Sequence, residues 1–514
     1  MATVPGHRRL HEADRISALP DELLVHILHR LASTPAAVRT GVLSRRWRRL
    51  WAELTELRLD SVLSPVPGID TVDVALAAAC TSLRAVTRLR VSLDHLPPYG
   101  GGVSASRVAS WLWFAAELVA GDLCILLPPE ATGGAEEEEE QEDLHLPVCE
   151  RVTEITLWLG GRFRLRLPAA GTFSALTYLN IRGARVDGPE LEEFVFCWCP
   201  CLEELAVRLP RFLAGSEVCI RSDSLRRLDF HIEDMRQLEV AAPRLERLSL
   251  LNAVEAYIAA PELEEVVWED ESFDPLRHQF AGAGRHLRRL VVALSSPTAA
   301  LLQRFDTVDE LSVDISIPYG AKEYTRFLED VDMIPSCAVL VVQSISTSHG
   351  SIPIVLHLLR RSTGIKKLII YLEFMVNGLC RLLGCPCDLP ESRRTDDINP
   401  DSLDEVEINL ISDEAWSDEQ AEFVELLLGC KAPVLKKVVI NMSCSCPFVR
   451  EDMFEKIREM CLLSNRFEFS VVCVGEEREE SYSTVVIHNG MKRHLPLELM
   501  TFASLLEHEI SHVH

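Results

Sequence analysis

Apolar residues near the amino terminus recur with the spacing of a helix. Five of them follow the i, i+1, i+4, i+5, i+8 spacing of one wide helix face: Leu23, Leu24, Ile27, Leu28 and Leu31. The Pro20-Asp21 pair supplies a start signal for this helix. Two further short helices are predicted over residues 35–42 and 44–51. Because so small a unit cannot bury all of its apolar surface, the excess predicts a binding partner.

A second pattern begins at about residue 80, where the unit Leu-x-x-Leu-x-apolar recurs. Its clearest copies are separated by 26, 23, 20 and 18 residues and start at Leu176, Leu202, Leu225, Leu245 and Leu263. Further copies are predicted at 83–91, 152–157, 287–292, 308–313, 365–370, 403–408 and 435–440. Each unit predicts a short strand that directs alternate side chains inward and buries its apolar face only against its neighbours. The pattern therefore predicts an α/β solenoid.

The first of these regions resembles the F-box. The resemblance is carried by Leu19-Pro20, by Glu22 to Leu31 with the pattern Glu-Leu-Leu-x-x-Ile-Leu-x-x-Leu, and by Val42 to Trp51 with the pattern Val-Leu-Ser-Arg-x-Trp-Arg-x-Leu-Trp. It implies a docking module for the Skp-type adaptor of a cullin-RING ubiquitin ligase. The expected adaptor-binding residues are mostly apolar: Leu19, Pro20, Leu23, Leu24, Ile27, Leu28, Leu31, Val38, Val42, Leu43, Ser44, Trp47, Leu50 and Trp51. The alternative is an ordinary helical hairpin that packs on its own domain.

The repeated unit is similar to leucine-rich repeats, although most copies lack the asparagine that usually closes the repeat turn. Residues 399–443 are similar to the carboxy-terminal module called FBD of plant F-box proteins, with a helix expected over 451–463 and a strand over 467–474. The resemblance implies a small three-helix F-box followed by an irregular leucine-rich-repeat solenoid, an α/β horseshoe. The expected divisions are a disordered amino terminus 1–14, the F-box 15–60, the repeats 61–398, the FBD-like repeats 399–474 and a tail 475–514.

One segment within the repeats has a different composition. Residues 128–147 include Gly133-Gly134 and five adjacent glutamates, Glu136 to Glu140. Adjacent like charges repel one another and bury nothing, so a disordered acidic insert is expected over residues 128–147.

Charge and composition narrow the function classes. The chain has 514 residues, 47% of them hydrophobic, and a formal net charge of −26, which disfavours nucleic acid as a partner. A cluster of arginines could be read as a phosphate-binding helix, but it is one helical turn in an acidic chain: Arg45, Arg46, Arg48 and Arg49. No apolar run approaches 18 residues and the amino terminus has no apolar signal region, so a protein of the cytoplasm or nucleus with no membrane partner is expected. Its 16 cysteines are then expected to be reduced.

Two kinds of motif resemble zinc-binding patterns but differ from them in position or spacing. His508-Glu509-Ile510-Ser511-His512 fits the His-Glu-x-x-His zinc pattern but lies in a terminal turn that is expected to fray. The cysteine clusters at 197–201, 385–387 and 444–446 have one intervening residue rather than the two that are usual for zinc. They are expected to be buried thiols, and Cys199, Cys201 and Cys430 are expected just ahead of repeat strands, so neither a metal nor a cofactor is expected.

The expected function is therefore that of a non-catalytic adaptor subunit. The F-box would dock the Skp-type adaptor of an SCF-type ubiquitin ligase, and the repeats would hold a target protein for ubiquitination. Two alternatives remain on the same architecture: a non-degradative interaction scaffold, and a co-receptor that completes its target site with a small molecule.

Overall fold

Parallel strands are the main regular elements of the described structure. The computed structural model describes residues 19–31, 34, 40, 44–50, 53–60, 69–82, 86–93, 103–129, 142–209, 212, 216–270, 272–347, 349–373, 384–392, 402–411, 426, 435–443, 468–474, 485–488 and 491–494. The chain divides into two units, Met1–Pro243 and Arg244–His514.

The first unit contains ten strands: β1 (Glu56–Asp60), β2 (Val86–Ser92), β3 (Val119–Leu126), β4 (Asp143–His145), β5 (Glu154–Trp158), β6 (Arg164–Arg166), β7 (Tyr178–Arg182), β8 (Glu204–Leu209), β9 (Glu217–Arg221) and β10 (Arg227–Ala241). Parallel pairing runs in the order β1, β2, β3, β5, β7, β8, β10, and β9 joins the far half of β10. Strands β4 and β6 form a separate parallel pair.

The second unit contains twelve strands: β11 (Arg247–Ala259), β12 (Glu265–Trp268), β13 (His278–Ala281), β14 (His286–Leu294), β15 (Thr307–Ile317), β16 (Ser336–Thr347), β17 (Lys367–Glu373), β18 (Glu405–Ile411), β19 (Lys437–Ser443), β20 (Glu468–Val474), β21 (Val485–His488) and β22 (Met491–His494). Parallel pairing joins β11 to β12 and β13, and continues from β12 through β14 to β20. Strands β21 and β22 continue the sheet antiparallel.

Few helices accompany these strands in the part of the chain that is described. The α-helices are Asp21–His29, Trp47–Leu50, Ile69–Ser82, Ala105–Leu118, Gly188–Glu193, Ala299–Leu302, Ala321–Asp330 and Ser351–Arg361. Within the described ranges, none of the helices has both the length and the apolar character that crossing a membrane requires.

The core is built from the leucines of the repeated unit. The second apolar position of each unit pairs with the same position of the next strand: Leu123 with Ile155, Ile155 with Leu179, Leu179 with Leu205, and Leu205 with Leu228. These five side chains are at most 1% exposed. Since each unit covers the apolar face of its neighbour, the predicted repeat solenoid is confirmed.

Strands β10 and β11 are much longer than the repeat predicts, and each pairs with two neighbours along its length. Residues 227–232 of β10 pair with β8, while its residues 237–241 pair with β9. In the same way β11 pairs with β12 near its start and with β13 near its end. Leu238 and Val240 are completely buried, so the alternation of apolar and polar residues continues past the predicted unit.

The acidic insert is shorter than the sequence predicts. Residues 128–129 and 142–147 of the predicted disordered segment are described, and β4 lies among them, so the prediction of disorder is wrong there. Leu144 is completely buried and Leu146 is 3% exposed, which anchors this end of the segment. The Glu142 carboxylate accepts a hydrogen bond from the Ala105 N–H at the start of the Ala105–Leu118 helix. The run 136–140 lies outside the described residues.

The predicted strands of the FBD-like region are confirmed as β18, β19 and β20, and the last of them begins at Glu468. The helix expected over 451–463 lies outside the described residues, as do residues 1–14. Within the expected tail 475–514, the hairpin of β21 and β22 is described. The expected domain boundaries stay predictions.

Candidate docking surface on the amino-terminal helices

The Asp21–His29 helix starts as the sequence predicts. Pro20 precedes it in an extended conformation with φ −65° and ψ 158°, a backbone that proline adopts readily. Asp21 and Glu22 place negative charge in the first turn, where the helix dipole favours it. At the other end, the Arg30 N–H donates to the carbonyls of His26 and Ile27.

One side of this helix is packed inside the protein. A small core joins it to the Trp47–Leu50 helix and to the segment that follows: Leu24, Leu28, Trp47, Leu50 and Leu54. None of these five side chains is more than 6% exposed. Leu19, Val25 and Leu31 are partly buried against the same core. The helices thus cover more of their own apolar surface than the sequence pattern predicts.

A second side of the helix, about 100° around the axis from the buried side, is apolar and exposed. Leu23 is 49% exposed and Ile27 is 39% exposed, and four residues separate them, so they are neighbours on one helix face. Pro20 is also exposed and lies one turn before Leu23. We call Pro20, Leu23 and Ile27 the docking patch. Large apolar side chains grouped in this way on a surface are typical of a binding site.

Four polar contacts position the helices that carry the docking patch. The Arg46 guanidinium donates to the Leu19 carbonyl at 2.6 Å and pairs with the Asp21 carboxylate. The Ser44 hydroxyl accepts from the Trp47 N–H, as a helix cap does. The Thr34 hydroxyl accepts from the Arg58 N–H of β1 at 2.8 Å, which ties the segment to the first repeat strand.

Arg46 is one of the four arginines that could be read as a phosphate-binding helix, but its contacts give it a structural role. Its guanidinium is committed to Asp21 and to the Leu19 carbonyl, whereas Arg45 is exposed. The side chains of Arg48 and Arg49 lie outside the described residues. A guanidinium that is already paired with a carboxylate offers little to a phosphate, so this contact weakens the phosphate-binding alternative.

The predicted adaptor-binding residues fall into three groups. The docking patch is exposed, whereas Leu24, Leu28, Trp47 and Leu50 are buried within the chain, and Leu19, Leu31 and Ser44 are intermediate. Val38, Val42, Leu43 and Trp51 lie outside the described residues. The adaptor-binding role of all these residues stays a prediction. As the helices are packed here, the four buried residues contribute to adaptor binding only by holding the fold of the helices.

The cysteine predictions are partly confirmed. Cys199, Cys385 and Cys387 are buried as predicted, but Cys197 and Cys201 are exposed, so the prediction is wrong for those two. Burial raises the pKa of Cys199 to about 12, which makes it an inert thiol. Cys430 and the clusters at 444–446 and 508–512 lie outside the described residues.

The sequence alone did not reveal that His349 packs beside one of these clusters. Within the described ranges, one group of side chains could hold a metal ion: His349, Cys385 and Cys387. His349 precedes Cys385 by 36 residues, so no local motif joins them.

Charged side chains cross between neighbouring strands of the repeats. Arg88 pairs with Asp122 at 2.7 Å, and Arg208 pairs with Asp229 at 2.8 Å. Asp229 also accepts from His231 at 2.9 Å. Burial alone would raise the pKa of Asp229, but the hydrogen bonds from His231 and Arg208 outweigh burial and hold this pKa below its usual value. The polar face of this sheet is therefore ordered by ion pairs between repeats.

Comparison with known proteins identifies two segments. Residues 16–55 match the family described as F-box-like, and residues 140–267 match the leucine-rich repeats of the FBD-associated F-box protein At5g56370. The chain is 27% identical to the FBD-associated F-box protein At4g10400 of Arabidopsis thaliana, over 46% of this chain and 56% of that protein. It is 30% identical to the F-box/FBD/LRR-repeat protein At2g04230 of the same plant, over 44% of this chain and 48% of that protein.

The chain thus spans about half the length of each of these two relatives. The F-box-like match contains the docking patch and the small core beneath it, and the repeat match covers β4 to β12. F-box segments generally bind Skp-type adaptors, and proteins that join them to leucine-rich repeats are typically non-catalytic substrate adaptors. By these two segments and its relatives, the chain is similar to plant F-box/leucine-rich-repeat proteins that carry an FBD region.

Proposed function

We propose that this chain is the substrate-recognition subunit of an SCF-type cullin-RING ubiquitin ligase. The observation that carries the proposal is the docking patch, which lies on the exposed side of a helix whose other side is held in a core. A fixed helix that presents neighbouring apolar residues fits a hydrophobic groove on a partner. The F-box would place this face on the Skp-type adaptor, and the repeats would bind the target.

The role of such a chain in ubiquitination is proximity. An adaptor that holds a target lysine near a ubiquitin-loaded conjugating enzyme raises their effective concentration. This step requires no acid, base or nucleophile from the chain itself. It requires that the chain be in the cytoplasm or nucleus, where the other subunits act.

The proposal is tested by changing the docking patch without changing the core beneath it. Leu23→Asp combined with Ile27→Asp places two charges on the exposed face. If each side chain is central to the interface and worth about 2 kcal/mol, the sum of about 4 kcal/mol predicts that adaptor affinity falls about a thousandfold. The measurement is co-purification of the adaptor and cullin with the full chain.

Val74→Asp is the matched control. Val74 is 70% exposed on the Ile69–Ser82 helix and lies outside the F-box-like segment, so an added negative charge there should leave adaptor binding intact. Equal recovery of the adaptor with the docking-patch variant and with the Val74 variant would overturn the proposal.

The target can be sought with the same pair of variants. With the proteasome inhibited, proteins that bind the repeats should co-purify with the intact chain and with the docking-patch variant alike. A target of the ligase should carry ubiquitin only when the docking patch is intact. Clients that co-purify but never carry ubiquitin would favour a non-degradative scaffold instead.

A further inference from the structure

The buried group formed by His349, Cys385 and Cys387 has the geometry of a metal site. The Nδ1 atom of His349 lies 3.3 Å from the Cys385 Sγ and 3.7 Å from the Cys387 Sγ. The two sulfur atoms are 3.2 Å apart. Cys385 is completely buried, Cys387 is 2% exposed and His349 is 3% exposed. We propose that these three side chains bind a zinc ion.

The distances agree with tetrahedral coordination. Zinc binds cysteine sulfur at about 2.3 Å and histidine nitrogen at about 2.0–2.1 Å, so two sulfurs on one zinc lie about 3.8 Å apart and a sulfur and a nitrogen about 3.5 Å apart. The two nitrogen–sulfur distances bracket this value. The sulfur atoms must separate by about 0.6 Å, which a small rotation of the cysteine side chains provides.

The charge of the site suits its burial. Two thiolates neutralise the double charge of a zinc ion, so the loaded site carries no net charge into the interior. Soft sulfur ligands and an imidazole select zinc over calcium or magnesium.

The surroundings hold the three ligands in place. The His349 ring packs against the buried Tyr324 ring with their centroids 4.8 Å apart. Cys385 and Cys387 flank the start of the short 3₁₀ turn Pro386–Asp388, and the Ser392 hydroxyl donates to the Cys387 carbonyl at 2.9 Å. Since His349 lies next to the start of the Ser351–Arg361 helix, the ion would join this helix to the turn.

Together the three ligands occupy three positions of a tetrahedron, and the fourth would take a water molecule or another donor. A zinc ion here would link parts of the second unit that are 36 residues apart in the chain. Its contribution is to the stability of the repeats, because a metal that binds only the folded chain stabilises that form.

The test begins with the metal content of the full chain, co-expressed with a Skp-type adaptor and purified without chelator. We expect one equivalent of zinc per chain to be lost when Cys385→Ser is combined with Cys387→Ser. Cys337→Ser is the matched control, because Cys337 is also a buried thiol of the second unit at 2% exposure and belongs to no described metal-binding group. Equal zinc in the wild type and in the double variant would overturn the proposal.

A second measurement needs no variant to fold. Removal of zinc from the wild-type chain with a chelator should lower its melting temperature, and zinc alone should restore it. Cobalt added to the chelated chain should give the thiolate charge-transfer and strong visible bands of a tetrahedral site, and His349→Phe should weaken them. A wild-type chain purified without zinc, whose Cys385 and Cys387 are free thiols or a disulfide, would refute the site.

Discussion

Leu23 and Leu24 form a matched pair that separates docking from folding. The two residues are adjacent on one helix and chemically identical, yet Leu24 is completely buried and Leu23 is 49% exposed. Truncation of either to alanine removes the same atoms. The structure therefore predicts that Leu24→Ala weakens the fold of the F-box, whereas Leu23→Ala mainly weakens binding of the adaptor.

The magnitudes follow from burial. Leucine-to-alanine changes in protein cores cost about 2–5 kcal/mol, and a core of five side chains places Leu24→Ala at about 3 kcal/mol. Full burial of a leucine contributes about 1.5–3 kcal/mol, so the half-exposed Leu23 contributes about 1 kcal/mol to folding. The locally unfolded, open form of the F-box should therefore increase about a hundredfold in Leu24→Ala and about fivefold in Leu23→Ala.

Limited trypsin digestion measures this open form, because cleavage within the F-box requires local opening. Arg30, Arg45 and Arg46 provide cleavage sites. We expect cleavage at these sites to accelerate about twentyfold more in Leu24→Ala than in Leu23→Ala. Adaptor affinity should fall in both variants. In Leu23→Ala it should fall by more than the increase in the cleavage rate accounts for. Equal cleavage rates in the two variants would refute the assignment of the two helix faces.

Two further predictions concern the first unit. Deletion of residues 133–140 should leave the midpoint of urea unfolding unchanged. Glu142→Ala should lower the free energy of unfolding by about 1 kcal/mol, because it removes a hydrogen bond from the start of the Ala105–Leu118 helix. If the deletion lowers the free energy of unfolding more than Glu142→Ala does, the acidic run packs on the fold. Since the pKa of Asp229 is lower in the folded chain than in the unfolded chain, its stabilising effect is complete above the unfolded pKa of about 3.9 and is lost as the pH falls through the folded pKa. Asp229→Asn should therefore make the urea midpoint less sensitive to acid, and an unchanged acid dependence would contradict this cause.

The sequence predicted most of the repeat strands because their signal is local. Leucines at a fixed offset, followed by alternating apolar residues, position β7, β8 and β12 within two residues of the predicted units. The second halves of β10 and β11 were not predicted. Each continues a strand without a new leucine unit, so the repeat pattern carries no sign of it.

The functional surfaces were harder to predict because they depend on packing. The wide apolar stripe of the first helix predicted a partner, but hydrophobicity alone did not tell that Leu24 and Leu28 face inward while Leu23 and Ile27 face solvent. Likewise, the single residue between Cys385 and Cys387 argued against a metal site. The third ligand, His349, reaches the two cysteines only through the fold, so the sequence did not reveal it.

Hydrogen exchange of the full chain, alone and with purified Skp-type adaptor, tests the central claim most directly. An adaptor that binds the folded F-box stabilises it by about 2.7 kcal/mol at a hundred times its dissociation constant. We predict that protection rises in residues 19–31 and does not change in residues 154–182, which span β5 to β7. Equal protection of residues 19–31 in both samples would contradict the claim that this helix docks the adaptor.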